Sequence, residues 1–197
     1  MKLTKEKALN LLNEVNNEES KGWIAHCIAV GDTACTLAQA LKEKGFNVDP
    51  EKALAMGYVH DIGKIYDDDN HTINGYYYLK EKDIDEDYAA VCLTHSYLNN
   101  DLNCTAGGIQ EDIPFRTEYV KNYKYTMYDK IINLCDLMCT QEVMSIEDRM
   151  NDIIKRKGVH ENTEYHLNEL LKLKDYFDHL LGYNLYDLFP SINKKLK

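Results

Sequence analysis

The chain has 197 residues and a formal net charge of −10 at pH 7. That length suits one domain, residues 1–197, around a single sizeable core. The acidic balance argues against a nucleic-acid-binding surface, which needs a basic stripe, yet phosphates still bind an acidic enzyme where a metal and a few cations gather.

Residues 1–10 lack the apolar run of a signal peptide, and no stretch reads as long enough to cross a membrane. A cytoplasmic protein without membrane contact is the expectation. Six cysteines, Cys27, Cys35, Cys92, Cys104, Cys135 and Cys139, form no C-x-x-C pair. They read as buried free thiols in a reducing compartment.

Helical periodicity dominates from the start. Ala8, Leu11, Leu12 and Val15 mark a first helix. A second spans about Trp23 to Lys44 and stops at Gly45. Asp49-Pro50-Glu51 supplies an N-cap, an N1 proline and an acidic first turn to a third helix. Its inner face carries Ala53, Met56, Gly57 and His60, and Gly63 is expected to end it in left-handed backbone. Asp67-Asp68-Asp69 lacks the ligand spacing of a calcium loop and reads as solvated. A short helix follows from near His71 to Lys80, and another over about Asp85 to Tyr97. Residues 99–116, with Gly107-Gly108 and Pro114, read as a loop long enough to be functional. A helix over about Thr126 to Thr140 carries Ile131, Ile132, Cys135 and Met138. Ser145-Ile146-Glu147-Asp148 resembles a capping box with Asp for Glu, and Leu167 to Leu181 form a long last helix. The strand signal is weak throughout, so the fold class is an all-α, single-domain helical bundle. Its motif-bearing core covers about 22–140, with C-terminal helices over about 145–182.

The dipeptide His60-Asp61 in Gly-Tyr-Val-His-Asp-Ile-Gly-Lys is the strongest chemical signal. An imidazole beside a carboxylate suits a first-row divalent metal. Neighbours on a helix point about 100° apart, so they approach one metal only near a helix end, or reach toward two. His26, His71, His95 and Asp136 also fall at or near the ends of predicted helices, and helix bundles commonly assemble metal ligands this way. Asp136, inside Ile-Ile-Asn-Leu-Cys-Asp-Leu, is a carboxylate in an apolar helix and calls for a cation. Cys135 and Cys139 flank it as core residues. His160, His166 and His179 sit in a charged C-terminal region and read as surface residues.

With His26 in Trp-Ile-Ala-His, His60-Asp61 in Val-His-Asp-Ile-Gly-Lys and Asp136 downstream, the chain resembles the HD-domain superfamily of metal-dependent phosphohydrolases over about residues 22–140. The resemblance implies His26, His60, Asp61 and Asp136 as metal ligands. His71 in His-Thr-Ile-Asn-Gly and His95 in Leu-Thr-His-Ser match the extra histidines of two-metal members, with Asp61 bridging. It implies an enzyme in which a metal-activated hydroxide cleaves a phosphate ester or anhydride of a nucleotide or other small phosphorylated metabolite. Asp61 and Lys64 are the expected catalytic residues, Lys64 as a point charge on a phosphate oxygen. Two divalent metals are expected per chain, iron or manganese first, with magnesium, cobalt, nickel and zinc compatible. The two-metal variant is similar to bacterial hydrolases of dinucleoside polyphosphates, although Thr-His-Ser followed by an Asn/Gly loop departs from that group. The same six ligands also serve di-iron oxygenases in a minority of the superfamily, and a non-catalytic metal-stabilised binding module is the third reading. Tyr119, Tyr123, Tyr125 and Tyr128, interleaved with Arg116, Lys121, Lys124 and Lys130, read either as a wall of a nucleotide site or as an amphipathic connection.

Overall fold

Helix-forming patterns with well-formed caps recur along the chain, and the computed structural model, which describes residues 1–67, 69–106 and 113–195, is all-α. The α-helices are α1 (Lys5–Glu14), α2 (Lys21–Glu43), α3 (Pro50–Val59), α4 (His71–Glu81), α5 (Glu86–Thr94), α6 (Pro114–Asn122), α7 (Met127–Asp136), α8 (Ile146–Lys157), α9 (Thr163–Leu181) and α10 (Pro190–Lys195). Among the described residues there is no strand, only an isolated bridge between Cys139 and Val143. One hydrophobic cluster runs through the bundle, from Leu3 on the N-terminal side to Ile192 near the other end.

Local chemistry explains the boundaries. Thr4 and Asp49 cap α1 and α3 by accepting from the amides of Lys7 and Glu51. Thr126 and Asp129 form a full capping box on α7. At Ser145 the expected box is half present, the hydroxyl accepting from the Asp148 amide at 3.1 Å. Such caps satisfy amides that have no partner within the helix.

α2 packs on α3 at a glycine crossing. A Cβ on Gly57 would lie 2.5 Å from Gly31 Cα, and one on Gly31 would lie 2.3 Å from the Tyr58 ring. Only hydrogens at these two positions let the helices approach so closely, and that approach brings His26 beside His60. α2 also revises a reading of the sequence, since its length and composition alone would suffice to cross a membrane. More than half of its apolar stretch is buried inside the bundle. A central helix is hydrophobic on most sides for that reason.

Gly63 plays a different part from the expected one. The positive-φ glycines among the described residues are Gly45, Gly158 and Gly182. Gly63 instead lies in a 3-10 turn, Ile62–Ile65, where a Cβ would be 2.0 Å from the His71 carbonyl and 2.3 Å from the Gly75 amide. It lets the start of α4 lie against the turn that follows Asp61. The 99–116 segment is also less loop-like than expected. It holds a 3-10 turn, Leu98–Asn100, and the first turn of α6, opened by Pro114; its Gly107-Gly108 part lies outside the described residues.

Candidate metal centre

Five helix ends deliver the six side chains. His26 is in the second turn of α2, His60 is the C-cap of α3, and Asp61 follows it. His71 is the first residue of α4, His95 the C-cap of α5, and Asp136 the last residue of α7. Asp67 supports the start of α4, accepting from the Asn70 amide at 2.5 Å and the Asn74 amide group at 2.9 Å. Three of these ends are helix C-termini, where the backbone dipole favours a cation. A carboxylate there, as at Asp136, is unfavourable unless a positive charge sits nearby.

The two oxygens of Asp61 face different partners. Oδ2 lies 3.9 Å from His26 Nε2 and 3.7 Å from His60 Nε2. Asp136 Oδ1 closes that group, 3.0 Å from His26 Nε2 and 3.8 Å from His60 Nε2. Asp61 Oδ1 lies 3.3 Å from both His71 Nε2 and His95 Nε2. Donor atoms of His26, His60 and Asp136 lie within 4.8 Å of one another, as do those of Asp61, His71 and His95. Every ligand expected from the sequence is therefore in one cluster, and the cluster divides in two about Asp61.

The far side of three imidazoles is pinned by backbone. His60 Nδ1 lies 2.7 Å from the Gly57 carbonyl, His26 Nδ1 3.0 Å from the Thr140 carbonyl, and His95 Nδ1 3.1 and 3.0 Å from the Val91 and Cys92 carbonyls. A carbonyl only accepts, so each Nδ1 carries the proton and each Nε2 lone pair is directed inward, the second-shell pattern of metal-ligating histidine. His60 Nε2 is buried and has no hydrogen-bond partner. Such an orphaned atom is costly unless it meets a cation or a proton donor. Burial lowers the His60 pKa to about 4, so the ring is neutral. Burial alone would raise the pKa of Asp61, but the surrounding His60, Lys64 and His71 hold it well below the carboxylate range. Asp136 is likewise held low against burial, chiefly by His26, whose Nε2 lies 3.0 Å away. Two ionised carboxylates and inward lone pairs fit divalent metal ions. Cys27 also approaches His60 and Asp61, but burial pushes its pKa well up and it stays a thiol.

Lys64 Nζ lies 2.5 Å from Asp61 Oδ2. Burial opposes its charge, yet the Asp61 carboxylate raises its pKa, and the lysine stays cationic. The cluster opens into a cavity of about 390 Å³. Trp23, Arg149, Arg156, Lys157 and His166 also line it, none of them anticipated. Arg149 and Arg156 were legible only as an i, i+7 pair on α8. His166 is corrected from surface to fully buried, while His160 is half-buried and His179 exposed. It heads the buried stripe of α9 with Leu170, Lys174, Phe177 and Leu181, a pattern masked by charged neighbours. The Arg116–Lys130 aromatics do not line this cavity. Tyr119 and Tyr123 stack with each other, and Tyr119 meets Phe115 and Tyr76 elsewhere on the bundle, which fits the reading as an amphipathic connection.

The model of the HD domain family matches residues 23–139. The chain is also similar to an uncharacterized protein of Methanocaldococcus jannaschii, 29% identical over 179 residues that cover 89% of this chain and 98% of that protein. No solved structure matches significantly.

Proposed function

This chain belongs to the HD domain family, and on that premise we propose that it is a metal-dependent phosphohydrolase acting on a phosphate ester or anhydride of a nucleotide or other small phosphorylated metabolite. The observation that carries the reading is the division of Asp61, with Oδ2 toward His26 and His60 and Oδ1 toward His71 and His95. His26, His60, Asp61 and Asp136 would hold one divalent ion, and Asp61, His71 and His95 a second, iron or manganese suiting this mixed donor set best. When bound, such ions supply Lewis acidity and lower the pKa of water to the neutral range.

The rest falls to the protein. The Nδ1 bonds to backbone hold the His26, His60 and His95 imidazoles in one tautomer before an ion binds. Asp61 ties the two halves together. Lys64 brings a positive charge to the cavity floor, where it binds a phosphate oxygen and offsets charge developing in the transition state. Burial of the cluster strengthens these interactions relative to water.

The test is phosphate release from a panel of nucleotides and sugar phosphates by metal-loaded protein. Activity should vanish on chelation and in Asp61→Asn. Oxygen uptake by iron-loaded protein, with no hydrolysis across the panel, would refute the proposal and favour oxygenase chemistry on the same ligands.

A further inference from the structure

α8 presents Arg149, Asp152, Ile153, Arg156 and Lys157 to the same cavity that exposes the Asp61 cluster. The spacing i, i+3, i+4, i+7, i+8 places them along one helical stripe. Asp152 Oδ2 accepts from Arg149 Nη1 at 2.7 Å and from Arg156 Nε and Nη2 at 3.1 and 2.8 Å. One carboxylate thus holds two guanidinium groups at a fixed spacing. Three cations against this one anion leave the stripe positive on a chain whose net charge is −10. The arginines retain unused capacity. Arg149 Nε is buried with no hydrogen-bond partner, and Lys157 has no ion-pair partner among the described residues. The metal cluster sits on α2–α5 and α7, so α8 brings these cations to the cavity from a different helix. A cavity of about 390 Å³ is in the range of small-metabolite sites and far exceeds what one phosphate fills.

We infer that Arg149, Arg156 and Lys157 form a second anion subsite, so that the substrate carries another phosphate or equivalent anionic group besides the one that reacts. This inference rests on the phosphohydrolase reading for the first subsite. Guanidinium groups suit it because their planar donors match phosphate oxygens in pairs. Trp23, the chain's one tryptophan, lines the same cavity and reports on its occupancy.

The experiment titrates full-length, metal-loaded protein with inorganic phosphate and with methylenediphosphonate, which carries two anionic groups and resists hydrolysis. Binding is followed by Trp23 fluorescence, and metal content is measured before and after. The diphosphonate should bind the native protein roughly tenfold or more tightly than phosphate, from hydrogen bonds between charged groups. Arg156→Gln should remove most of that margin while phosphate affinity stays within about twofold. The Arg156 side chain is half exposed, 52%, so this variant tests binding without threatening the fold. Lys157→Gln repeats the test at an exposed position, and Arg149→Gln does so at the inner end. Equal affinity for the two probes, a margin that survives all three substitutions, or no binding of either probe overturns the inference. Failure of the metal-centre reading looks different: phosphate affinity would be unchanged in Asp61→Asn, whatever the α8 variants do.

Discussion

Asn133 ties the end of α5, and with it His95, to α7. It is 1% exposed, on α7, and its side-chain amide donates to the Thr94 and His95 carbonyls at 2.9 and 2.6 Å. These carbonyls lie at the end of α5, where helical partners run out. Tyr125 also donates to Thr94, at 3.1 Å, so truncation to Asn133→Ala leaves chiefly the His95 carbonyl short of a donor. A buried group left so costs about 1–3 kcal/mol. Loss of the amide's packing adds on the order of 1 kcal/mol. The sum, about 2–4 kcal/mol, lowers the melting temperature of a domain this size by roughly 4–16 °C. The end of α5 is then less well held, and binding at the His71/His95 half of the cluster weakens by about 10–100-fold, as for other supporting residues around metal ligands. Thermal melts by circular dichroism and metal titration of the same samples measure both effects. A variant that melts within about 1 °C of the native protein, with unchanged affinity for both ions, would refute the reasoning.

Four further outcomes are expected. Manganese at about 100 times its Kd should stabilise the native protein by about 2.7 kcal/mol, and a chelator should reverse the gain in a thermal melt. His71→Ala should lower the metal content by one ion in elemental analysis, because His71 faces only the Oδ1 half of the cluster; an unchanged metal content would refute His71 as a ligand of a second ion. Gly63→Ala should destabilise by about 1–3 kcal/mol, seen in a denaturant midpoint, because its Cβ would meet the His71 carbonyl at 2.0 Å. The fourth concerns pH. Burial lowers the His166 pKa to about 4, against about 6.5 unfolded, so the unfolded chain binds the proton more readily. Stability from this group is complete above about pH 6.5, falls as pH drops toward 4, and levels below that. The difference amounts to at most about 3 kcal/mol. His166→Asn should flatten stability against pH across that window, as read by urea unfolding at several pH values.

Much of this protein was legible in sequence because the relevant physics is local. The helix starts at Asp49-Pro50 and Ser145 rest on capping groups a few residues from the amides they satisfy. The six candidate ligands stood out because imidazoles and carboxylates at the ends of apolar helices are costly without a cation, and the resemblance to the HD-domain superfamily singled out the same positions. What depends on distant contacts was not legible. Gly63 read as a helix stop, whereas its lack of a Cβ serves the approach of α4. His166 read as a surface residue from its charged neighbours, although packing of α9 buries it. α6 opens with Pro114 in a stretch whose composition suggested only a loop. The sequence by itself determined an all-α fold and which side chains were candidates for a metal, since periodicity and the chemistry of buried charge act within a few residues. Only the tertiary structure decided that Asp61 turns one oxygen to each pair of histidines and that the cations of α8 share their cavity. Both arrangements are set by the crossing of helices far apart in the chain.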